Sequence, residues 1–431
     1  MKIKSILFVS LIFVFTTCKE HNRKEETKLE AAKETLLQWN NLILDLEQHT
    51  PGYRPPVSAR AFAYFGIFAL QAAYPFSKKN NIVIPALFSD SINIKLINAE
   101  YEPALGLNAG YARILRYFYS NSSIIELKKI DDLEDKIAQK YNSNNVNDLL
   151  STTYGKKVAD TIWEYAMSDT IGHEANLYNF DKNFIPEKCK GCWQLTGEHP
   201  MPALLPYWGK ARTFVTNINK VTVRPPVTYD ESRNSPFYTE AMEVFLVSQN
   251  RTYDDIWVAE LWSDDLPELT VSPVGRWFSI MNQFIAQEKP SFSKCIEAYY
   301  KLGIAMNDAA VTVWNAKYQY NLERPETYIK RNIFPDWKPL HETPPFPSYP
   351  SGHATFGATA AEVLKPIFGN SFTLADKTHE NRQEFKGRPR TYHSFDEMAK
   401  ENAFSRIPMG VHYRMDCEEG YRLGKTIGQH V

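Results

Sequence analysis

Apolar side chains recur along most of the chain at intervals of three and four residues, the spacing of one face of an α-helix. This spacing predicts helices over 27–46, 108–119, 131–140, 156–169, 235–248, 275–287, 291–317, 351–365 and 394–403, and a last helix after Pro408. Segment 58–73 is apolar on nearly all sides, which predicts a helix buried all round. Alternating runs long enough for a sheet are almost absent. The pattern therefore predicts an all-α fold.

A stretch rich in proline and aromatic residues, 184–226, divides the helical pattern into two halves. Proline interrupts regular elements, so this stretch predicts a structured crossing between the halves. We expect two packed helical bundles, an N-terminal one over 51–200 and a C-terminal one over 201–431. The chain of 431 residues, 43% of them hydrophobic, is long enough to bury such a core.

The first 18 residues have the pattern of an export signal. Lys2 and Lys4 precede an apolar run, 6–15, which is shorter than the roughly 20 residues that span a bilayer. Cys18 follows the run directly, where a bacterial lipoprotein would carry its lipid. We therefore expect a protein of the periplasm, of the outer membrane through lipid on Cys18, or of the medium. Residues 19–50 would form a charged tether and the first helix; the alternative is a buried N-terminal helix with an incidental cysteine.

Charge and cysteine content exclude several classes of protein. Lys and Arg number 49 against 50 Asp and Glu, so no overall field attracts nucleic acid, and an anion site must be a local concentration of positive charge. Five cysteines are too few for a disulfide scaffold. Cys189 and Cys192 are either a local disulfide or two unremarkable cysteines. Motifs for nucleotide binding and for heme attachment are missing from the sequence.

Candidate chemistry concentrates in three segments of the last third, the first of which holds Lys317 and Arg324. These cations are seven residues apart, so two helical turns would bring them to one face, and Pro325 would mark the end of that helix. Two cations on one stripe repel each other unless an anion lies between them. The alternative is an ordinary solvated basic face.

The second segment runs from proline-rich chain into Ser351, Gly352 and His353, where a helix is predicted to begin. Ser351 can cap that helix, whose free N–H groups and positive dipole end favour an oxyanion. Gly352 allows an anion to approach the backbone, and His353 can exchange a proton there. The alternative is a capped buried helix in which His353 belongs to the core.

The third segment contains Arg406, Pro408, His412 and Asp416. Pro408 predicts the first turn of a helix, with Arg406 at its mouth and His412 one turn in. His412 and Asp416 would share a helical face, where a carboxylate fixes the imidazole tautomer and strengthens the other nitrogen as a ligand. The alternative is an ordinary surface pair.

The three segments together supply three cations, a helix start, a hydroxyl and two imidazoles, a combination suited to a tetrahedral oxyanion. They resemble the signature shared by type-2 phosphatidic acid phosphatases and vanadium-dependent haloperoxidases, in the patterns Lys317-x6-Arg324-Pro325, Pro350-Ser351-Gly352-His353 and Ser405-Arg406-x5-His412-x3-Asp416. Segment 346–350 and Trp314, one turn before Lys317, resemble the haloperoxidase branch, and segments 202–209 and 261–264 resemble its bacterial iodoperoxidases and bromoperoxidases.

This resemblance implies an active site in the C-terminal bundle, with vanadate (V5+) as cofactor and no heme. It implies hydrogen peroxide, a halide and a small organic acceptor as partners, with iodide the favoured halide and bromide the next candidate. The residues that would hold vanadate are Lys317, Arg324, Ser351, Gly352, His353, Arg406 and His412. His412 would bind the metal, with Asp416 behind it, and His353 would be the acid–base group. Trp314 and Phe346 would line the halide side.

Two alternatives stay open at this point. A soluble acid phosphatase of the same superfamily would use His412 as the nucleophile on phosphorus, with His353 protonating the leaving group. An exported oxyanion-binding lipoprotein would use the same side chains for binding alone.

Overall fold

The computed structural model describes residues 3–76, 94, 100–196, 200–214, 220–264, 266, 269–382 and 388–431, with side chains from residue 25 onwards. Within these ranges the helices are α1 (Ile3–His49), α2 (Pro55–Ala73), α3 (Pro103–Phe118), α4 (Ile124–Tyr141), α5 (Val146–Met167), α6 (Pro236–Gln249), α7 (Tyr253–Leu261), α8 (Pro273–Glu288), α9 (Phe292–Tyr320), α10 (Pro325–Asn332), α11 (Gly352–Phe368), α12 (Phe395–Phe404), α13 (Arg406–Met409) and α14 (Arg414–Gly428). The prediction of an all-α fold is confirmed.

The β-structure of the described residues consists of two small antiparallel pairs. Strand β1 (Phe180–Asp181) pairs with β2 (Ala203–Leu204), and β3 (Leu374–Asp376) pairs with β4 (Arg390–Tyr392). The first pair lies at the proline-rich crossing, whose described residues also include a 3-10 turn over Trp208–Lys210. The crossing therefore contains no long regular element in its described part, as predicted.

Local sequence explains where many helices begin. Proline occupies the first helical position of α2, α3, α6, α8 and α10, where its missing N–H is no loss. The Ser235 and Ser272 side chains accept N–H groups at the starts of α6 and α8. Helix α2 is buried along its whole length, which explains its uninterrupted apolar sequence.

Helix α9 joins the two halves of the chain. It packs against α2 from the N-terminal half and against α11 from the C-terminal half, and α11 in turn packs against α12 and α14. One hydrophobic core is continuous through both sets of helices. The bundles are packed as expected, and the boundary at residue 200 stays a prediction.

Two local predictions about the helices are wrong. Helix α9 ends at Tyr320, since Asn321 adopts a left-handed conformation (φ 46°), and Pro325 begins α10 rather than ending α9. Lys317 and Arg324 therefore do not share a helical face. The helix expected from Pro408 is likewise broken at Gly410, whose φ of 90° ends α13. His412 thus lies between α13 and α14 instead of one turn into a helix.

The N-terminal segment forms part of α1, which runs without a break from Ile3 and so begins well before the helix predicted at 27–46. The side chains of residues up to 24, including that of Cys18, lie outside the described residues. The export signal and the lipid on Cys18 therefore stay predictions. None of the helices in the described part combines the length and apolar character needed to cross a membrane. Cys189 and Cys192, the pair left open above, form a disulfide.

Candidate active site

The three sequence segments converge on one cavity of about 680 Å³. The residues that line it include Trp314, Phe346, Gly352, His353, Arg406 and His412. Lys317, Arg324, Ser351 and Asp416 lie buried directly behind this wall. The structure therefore brings all residues of the predicted site together. The pairs Lys317 and Arg324, and His412 and Asp416, were expected to lie on one helical face, but loops between helices bring them close instead.

Lys317 lies in the last turn of α9 with its side chain completely buried. Its ammonium nitrogen donates to the carbonyl oxygens of Pro347, Ser348 and Pro350 at 3.1, 2.8 and 2.6 Å. These contacts fix the segment that leads into α11. The three carbonyl oxygens accept hydrogen bonds from the ammonium group but do not neutralise its positive charge. Lys317 therefore makes the electrostatic potential at the start of α11 positive.

Arg324 lies just before α10 and is also completely buried. Its Nε and one terminal nitrogen donate to the Phe346 carbonyl at 3.1 and 3.0 Å, and the other terminal nitrogen donates to the Val411 carbonyl at 2.9 Å. That second terminal nitrogen also lies 3.2 Å from Nε2 of His412. Because a guanidinium can only donate, Nε2 of His412 must carry a lone pair.

Arg406 begins the one-turn helix α13 and lines the cavity. A terminal nitrogen donates to the Trp262 carbonyl at 2.6 Å, and the other contacts the Met409 sulfur. These two anchors hold the guanidinium at the cavity wall with only 3% of the residue exposed. Arg406 is thus the third buried cation of the site.

His412 is oriented by Asp416 in the first turn of α14. Its Nδ1 lies 2.8 Å from Oδ2 of Asp416, which also accepts the Tyr413 N–H at 3.2 Å and the Ser348 hydroxyl. Nδ1 therefore carries the proton, which agrees with the lone pair on Nε2 that faces Arg324. The pair predicted from the sequence exists, but it is buried and belongs to a loop and a helix start.

The start of α11 brings the second segment to the cavity. The Ser351 hydroxyl caps the helix by accepting the Ala354 N–H at 3.4 Å, and the Ser351 N–H donates to the Asp416 carbonyl at 2.9 Å. These bonds lock the starts of α11 and α14 together. His353, in the first turn of α11, is buried and lines the cavity close to the three cations.

The electrostatic environment keeps both imidazoles neutral. Burial and then the charges of Arg406, Lys317 and Arg324 hold the pKa of His353 well below its usual value. Burial, then Arg324, Lys317 and Arg406, do the same to the pKa of His412. Burial raises the pKa of Asp416 to about 7, against the lowering effect of the Ser348 hydroxyl and of the cations. The site is strongly positive and therefore disfavours another proton.

The chemistry of these groups fits vanadate. Three buried cations, the N–H groups at the start of α11 and neutral imidazole nitrogens can satisfy and neutralise a tetrahedral oxyanion. Gly352 lines the cavity, and a Cβ there would meet only Phe356 and Trp314, at 3.8 and 3.9 Å. The backbone at this point consequently faces open space, as close approach of an anion requires.

Aromatic rings cover one side of the site. The rings of Trp314 and Phe346 lie with their centroids 5.0 Å apart. The Phe346 ring also lies 5.1 Å from Nζ of Lys317 and 5.0 Å from the guanidinium carbon of Arg324. The Phe346 ring therefore makes cation–π contacts with both buried cations.

Sequence reasoning missed three residues of this region. Ser348 lies in segment 346–350, whose resemblance was noted without a role for this residue, although its position three residues before the predicted cap could have drawn attention to it. Glu47 and Asp264 line the same cavity from α1 and from the loop after α7. Asp264 lies in segment 261–264, whose resemblance was noted without a role for this residue, and for Glu47 only the fold reveals the position.

The chain is similar in sequence and in structure to vanadium-dependent haloperoxidases. The family model of the VCPO second helical-bundle domain matches residues 297–431. The vanadium chloroperoxidase of Curvularia inaequalis is 24% identical over 278 residues, 49% of this chain and 46% of that protein. The vanadium-dependent bromoperoxidase of Ascophyllum nodosum is 33% identical over 110 residues, 23% of this chain and 19% of that protein. The chain thus matches less than half the length of these curated relatives.

Solved structures extend the similarity over nearly the whole chain. A structure described as the first bacterial vanadium-dependent iodoperoxidase superposes with a TM-score of 0.80 at 27% identity, covering 92% of this chain and 95% of that one. A bacterial vanadium-dependent chloroperoxidase superposes with a TM-score of 0.65 at 13% identity, covering 88% and 91%, which shows a shared fold. Residues 297–431 therefore match the second helical-bundle domain of the vanadium haloperoxidases, and nearly the whole chain is similar in structure to a bacterial vanadium-dependent iodoperoxidase.

Proposed function

We propose that the protein is a vanadium-dependent haloperoxidase that oxidises iodide with hydrogen peroxide, and bromide as the second halide. The observation that carries this proposal is the orientation of His412. Its Nδ1 is bound to Asp416 and its Nε2 keeps a lone pair beside a buried arginine. A neutral, fixed imidazole nitrogen within a cluster of cations is the arrangement that a metal oxyanion requires.

Seven residues would hold the cofactor, Lys317, Arg324, Ser351, Gly352, His353, Arg406 and His412, with His412 as the metal ligand. Bound vanadate would supply a Lewis acid that activates hydrogen peroxide. The cations would neutralise the oxyanion, which otherwise could not leave water for so buried a position. Catalytic roles would thus fall on His353, His412 and the cations Lys317, Arg324 and Arg406.

His353 would manage the proton of the reaction. Iodide, hydrogen peroxide and one proton give hypoiodous acid and water, so a group at the site must accept and return a proton. His353 lines the cavity in its neutral form, since burial and the three cations lower its pKa. It can therefore take a proton from the entering peroxide and give it to the departing water.

Iodide is favoured by the aromatic side of the cavity and by the structural similarity. Trp314 and Phe346 would line the halide side with polarisable rings instead of hydrogen-bond donors, which suits a large, weakly hydrated anion. The solved structure of a bacterial iodoperoxidase also matches this chain over 92% of its length. Both observations support iodide ahead of bromide.

Three assays on the full-length protein test the proposal. The protein is incubated with orthovanadate and assayed for oxidation of iodide and of bromide by hydrogen peroxide, and in parallel for hydrolysis of a phosphate monoester. We expect vanadate-dependent oxidation that is faster with iodide. Phosphate release without halide oxidation would instead support the acid phosphatase, whose nucleophile would be the same His412 nitrogen. Activity in neither assay, with vanadate still bound, would support an oxyanion-binding protein.

A pair of histidine variants makes the test specific. We expect His412→Ala to abolish halide oxidation, because it removes the metal ligand. His430→Ala is the matched control, since His430 is exposed near the C-terminus and should be replaceable without effect. Full activity of the His412→Ala protein would exclude its role as ligand.

We also propose that the protein acts outside the cytoplasm, on the strength of its first 18 residues. Expression of the full chain in a bacterial host, followed by mass measurement of the exported protein, tests this. A lipid-sized mass increase on Cys18 that is absent from Cys18→Ser would support the lipid anchor. A cytoplasmic protein of unprocessed mass would exclude export.

A further inference from the structure

The cavity of the active site is larger than its small substrates require. Its volume of about 680 Å³ falls in the range of roughly 300–1,000 Å³ that pockets for organic molecules occupy, whereas a halide and hydrogen peroxide have one and two heavy atoms. One part of the cavity wall comes from the N-terminal half of the chain and includes Glu47, Tyr53 and Phe180. The cavity thus extends from the catalytic groups to side chains that the oxidation of halide does not use.

Glu47 is the first unusual residue of this wall. It lies in the last turns of α1 and is only 2% exposed. Its carboxylate accepts the Ser58 hydroxyl at 2.6 Å and the Ser272 N–H at 3.1 and 3.2 Å. Among the described residues no cation pairs with it. A buried carboxylate that is satisfied only by neutral donors keeps its charge available to a positive ligand.

Asp264 is the second unusual residue of this cavity wall. It is also 2% exposed and lines the same cavity. One carboxylate oxygen, Oδ1, lies 2.7 Å from Nε2 of His379 and 3.5 Å from Arg276. The other oxygen, Oδ2, is buried and has no hydrogen-bond partner within the described ranges. Buried polar atoms are rarely left without a partner, so this oxygen is suited to an N–H donor from a ligand.

The two carboxylates act on each other. Burial raises the pKa of Glu47 to about 7, and repulsion by Asp264 adds to the effect, while the bonds from Ser272 and Ser58 oppose it. Asp264 is the charged group that acts on Glu47 most strongly, although Arg54 and Arg406 line the same cavity. Glu47 and Asp264 thus place two carboxylates on the cavity wall, whereas three cations surround the histidines.

We propose that the cavity binds a small aromatic amine as the halogen acceptor, with its ammonium group between Glu47 and Asp264 and its ring towards the histidines. Tyr53, Phe180 and Phe356 supply the apolar and aromatic contacts for that ring. The proposal rests on the proposed haloperoxidase function, which supplies the hypoiodous acid. In the transfer a ring C–H bond is replaced by a C–I bond, and the ring proton leaves as water with the hydroxide of hypoiodous acid.

Binding of three probes that differ in charge tests the proposal without turnover. Tyramine, the neutral tyrosol and the anionic 4-hydroxyphenylacetate are titrated by calorimetry into the vanadate-loaded full-length protein at pH 8, without peroxide or halide. We expect tyramine to bind at least about tenfold more tightly than tyrosol, and 4-hydroxyphenylacetate to bind most weakly, because a charge-assisted hydrogen bond contributes about that factor. Equal affinities, or no binding of tyramine, would overturn the proposal.

A pair of variants locates the site. Glu47→Gln should weaken tyramine binding about tenfold and leave tyrosol binding nearly unchanged. Asp336→Asn is the matched control, because Asp336 is exposed and does not line the cavity. A loss of affinity that is equal for both probes would indicate a general disturbance and would contradict the assignment. The same titrations on vanadate-free protein remain informative if iodide is not oxidised, so failure of the haloperoxidase function and failure of the amine site are distinguishable.

Discussion

The Asp416 carboxylate accepts the Nδ1–H of His412 at 2.8 Å from a position in the first turn of the following helix. This contact decides which imidazole nitrogen faces the cavity. Asp416 itself is fixed by the Tyr413 N–H and by the Ser348 hydroxyl. The lone pair on Nε2 of His412, the proposed ligand atom, therefore depends on a residue that does not line the cavity.

We therefore expect Asp416→Asn to weaken vanadate binding by roughly 10- to 100-fold, the usual effect of losing the partner of a ligand histidine. An asparagine amide can donate to Nδ1 and so favour the tautomer whose Nε2 carries the proton. Calorimetric titration of the purified variant with orthovanadate measures the change. Glu418→Gln, an exposed charge removal two residues away, should leave the affinity unaltered. Tight binding by Asp416→Asn would show that Asp416 does not orient the ligand.

In vanadate-free protein, His353 and His412 should remain neutral at pH values low enough to protonate an ordinary histidine. The lowered pKa of His353 and of His412 follows from burial and from three nearby cations. Nitrogen NMR of protein with labelled histidines, recorded from pH 8 to pH 5, should show two imidazoles with midpoints well under 6.5. Midpoints of 6.5 or above for these two side chains would refute the picture of a positive site.

Glu47 should make the folded protein less stable as the pH rises. The pKa of the Glu47 carboxyl is 4.5 in an unfolded chain and about 7 in the folded protein. As the pH rises, the unfolded state therefore loses this proton at a lower pH than the folded state does. The contribution of Glu47 to stability is therefore complete below pH 4.5 and is lost between pH 4.5 and 7, by about 3 kcal/mol in total. Urea unfolding of wild type and Glu47→Gln at pH 5 and pH 8 measures it.

The expected outcome is a gain in the free energy of unfolding of Glu47→Gln over wild type that is larger at pH 8 than at pH 5. Other titrating groups cancel in that difference, because both proteins contain them. Asp336→Asn should show the same difference at both pH values. A difference for Glu47→Gln that does not depend on pH would mean that this carboxyl ionises normally.

Gly410 should matter for the site as well as for stability. Its φ is 90°, and a Cβ there would lie 3.0 Å from Trp337 and 3.1 Å from Pro339. We expect Gly410→Ala to lower the free energy of unfolding by roughly 1–3 kcal/mol and to weaken vanadate binding, because His412 follows two residues later. Gly369→Ala is the control, since Gly369 has a φ of 88° and open space around its Cβ. It should cost stability while leaving vanadate affinity intact, and equal effects of the two variants on affinity would contradict this view.

The sequence was sufficient to predict the helical fold, the three segments of the site and their convergence, because each segment combines several groups suited to one oxyanion. It was not sufficient for the local geometry. Spacing placed Lys317 and Arg324 on one helix, whereas a left-handed Asn321 ends that helix between them. Helical patterns describe hydrophobic faces well, but a single residue with positive φ can end a helix without changing the pattern.

Contacts between residues far apart in the sequence could not be predicted from the spacing of residues within one segment. Ser348 contacts Asp416 across 68 positions, and Glu47 meets Ser272 across 225. Nothing in the local sequence marks Glu47 as buried, since its neighbours fit an ordinary amphipathic helix. Only packing of α1 against α8 places this carboxyl at the cavity.

Helix α9 carries Trp314 and Lys317 at one end of its length and presents its other surface to α2. The residues of the three motifs and the rest of the cavity wall consequently come from different stretches of chain that share one hydrophobic core. In the proposed haloperoxidase, substitutions in the N-terminal stretch would therefore change which molecules enter the cavity without changing the residues of the three motifs. Conversely, a fragment limited to the matched region 297–431 would contain the residues of the three motifs but would lack the cavity wall that the N-terminal half contributes.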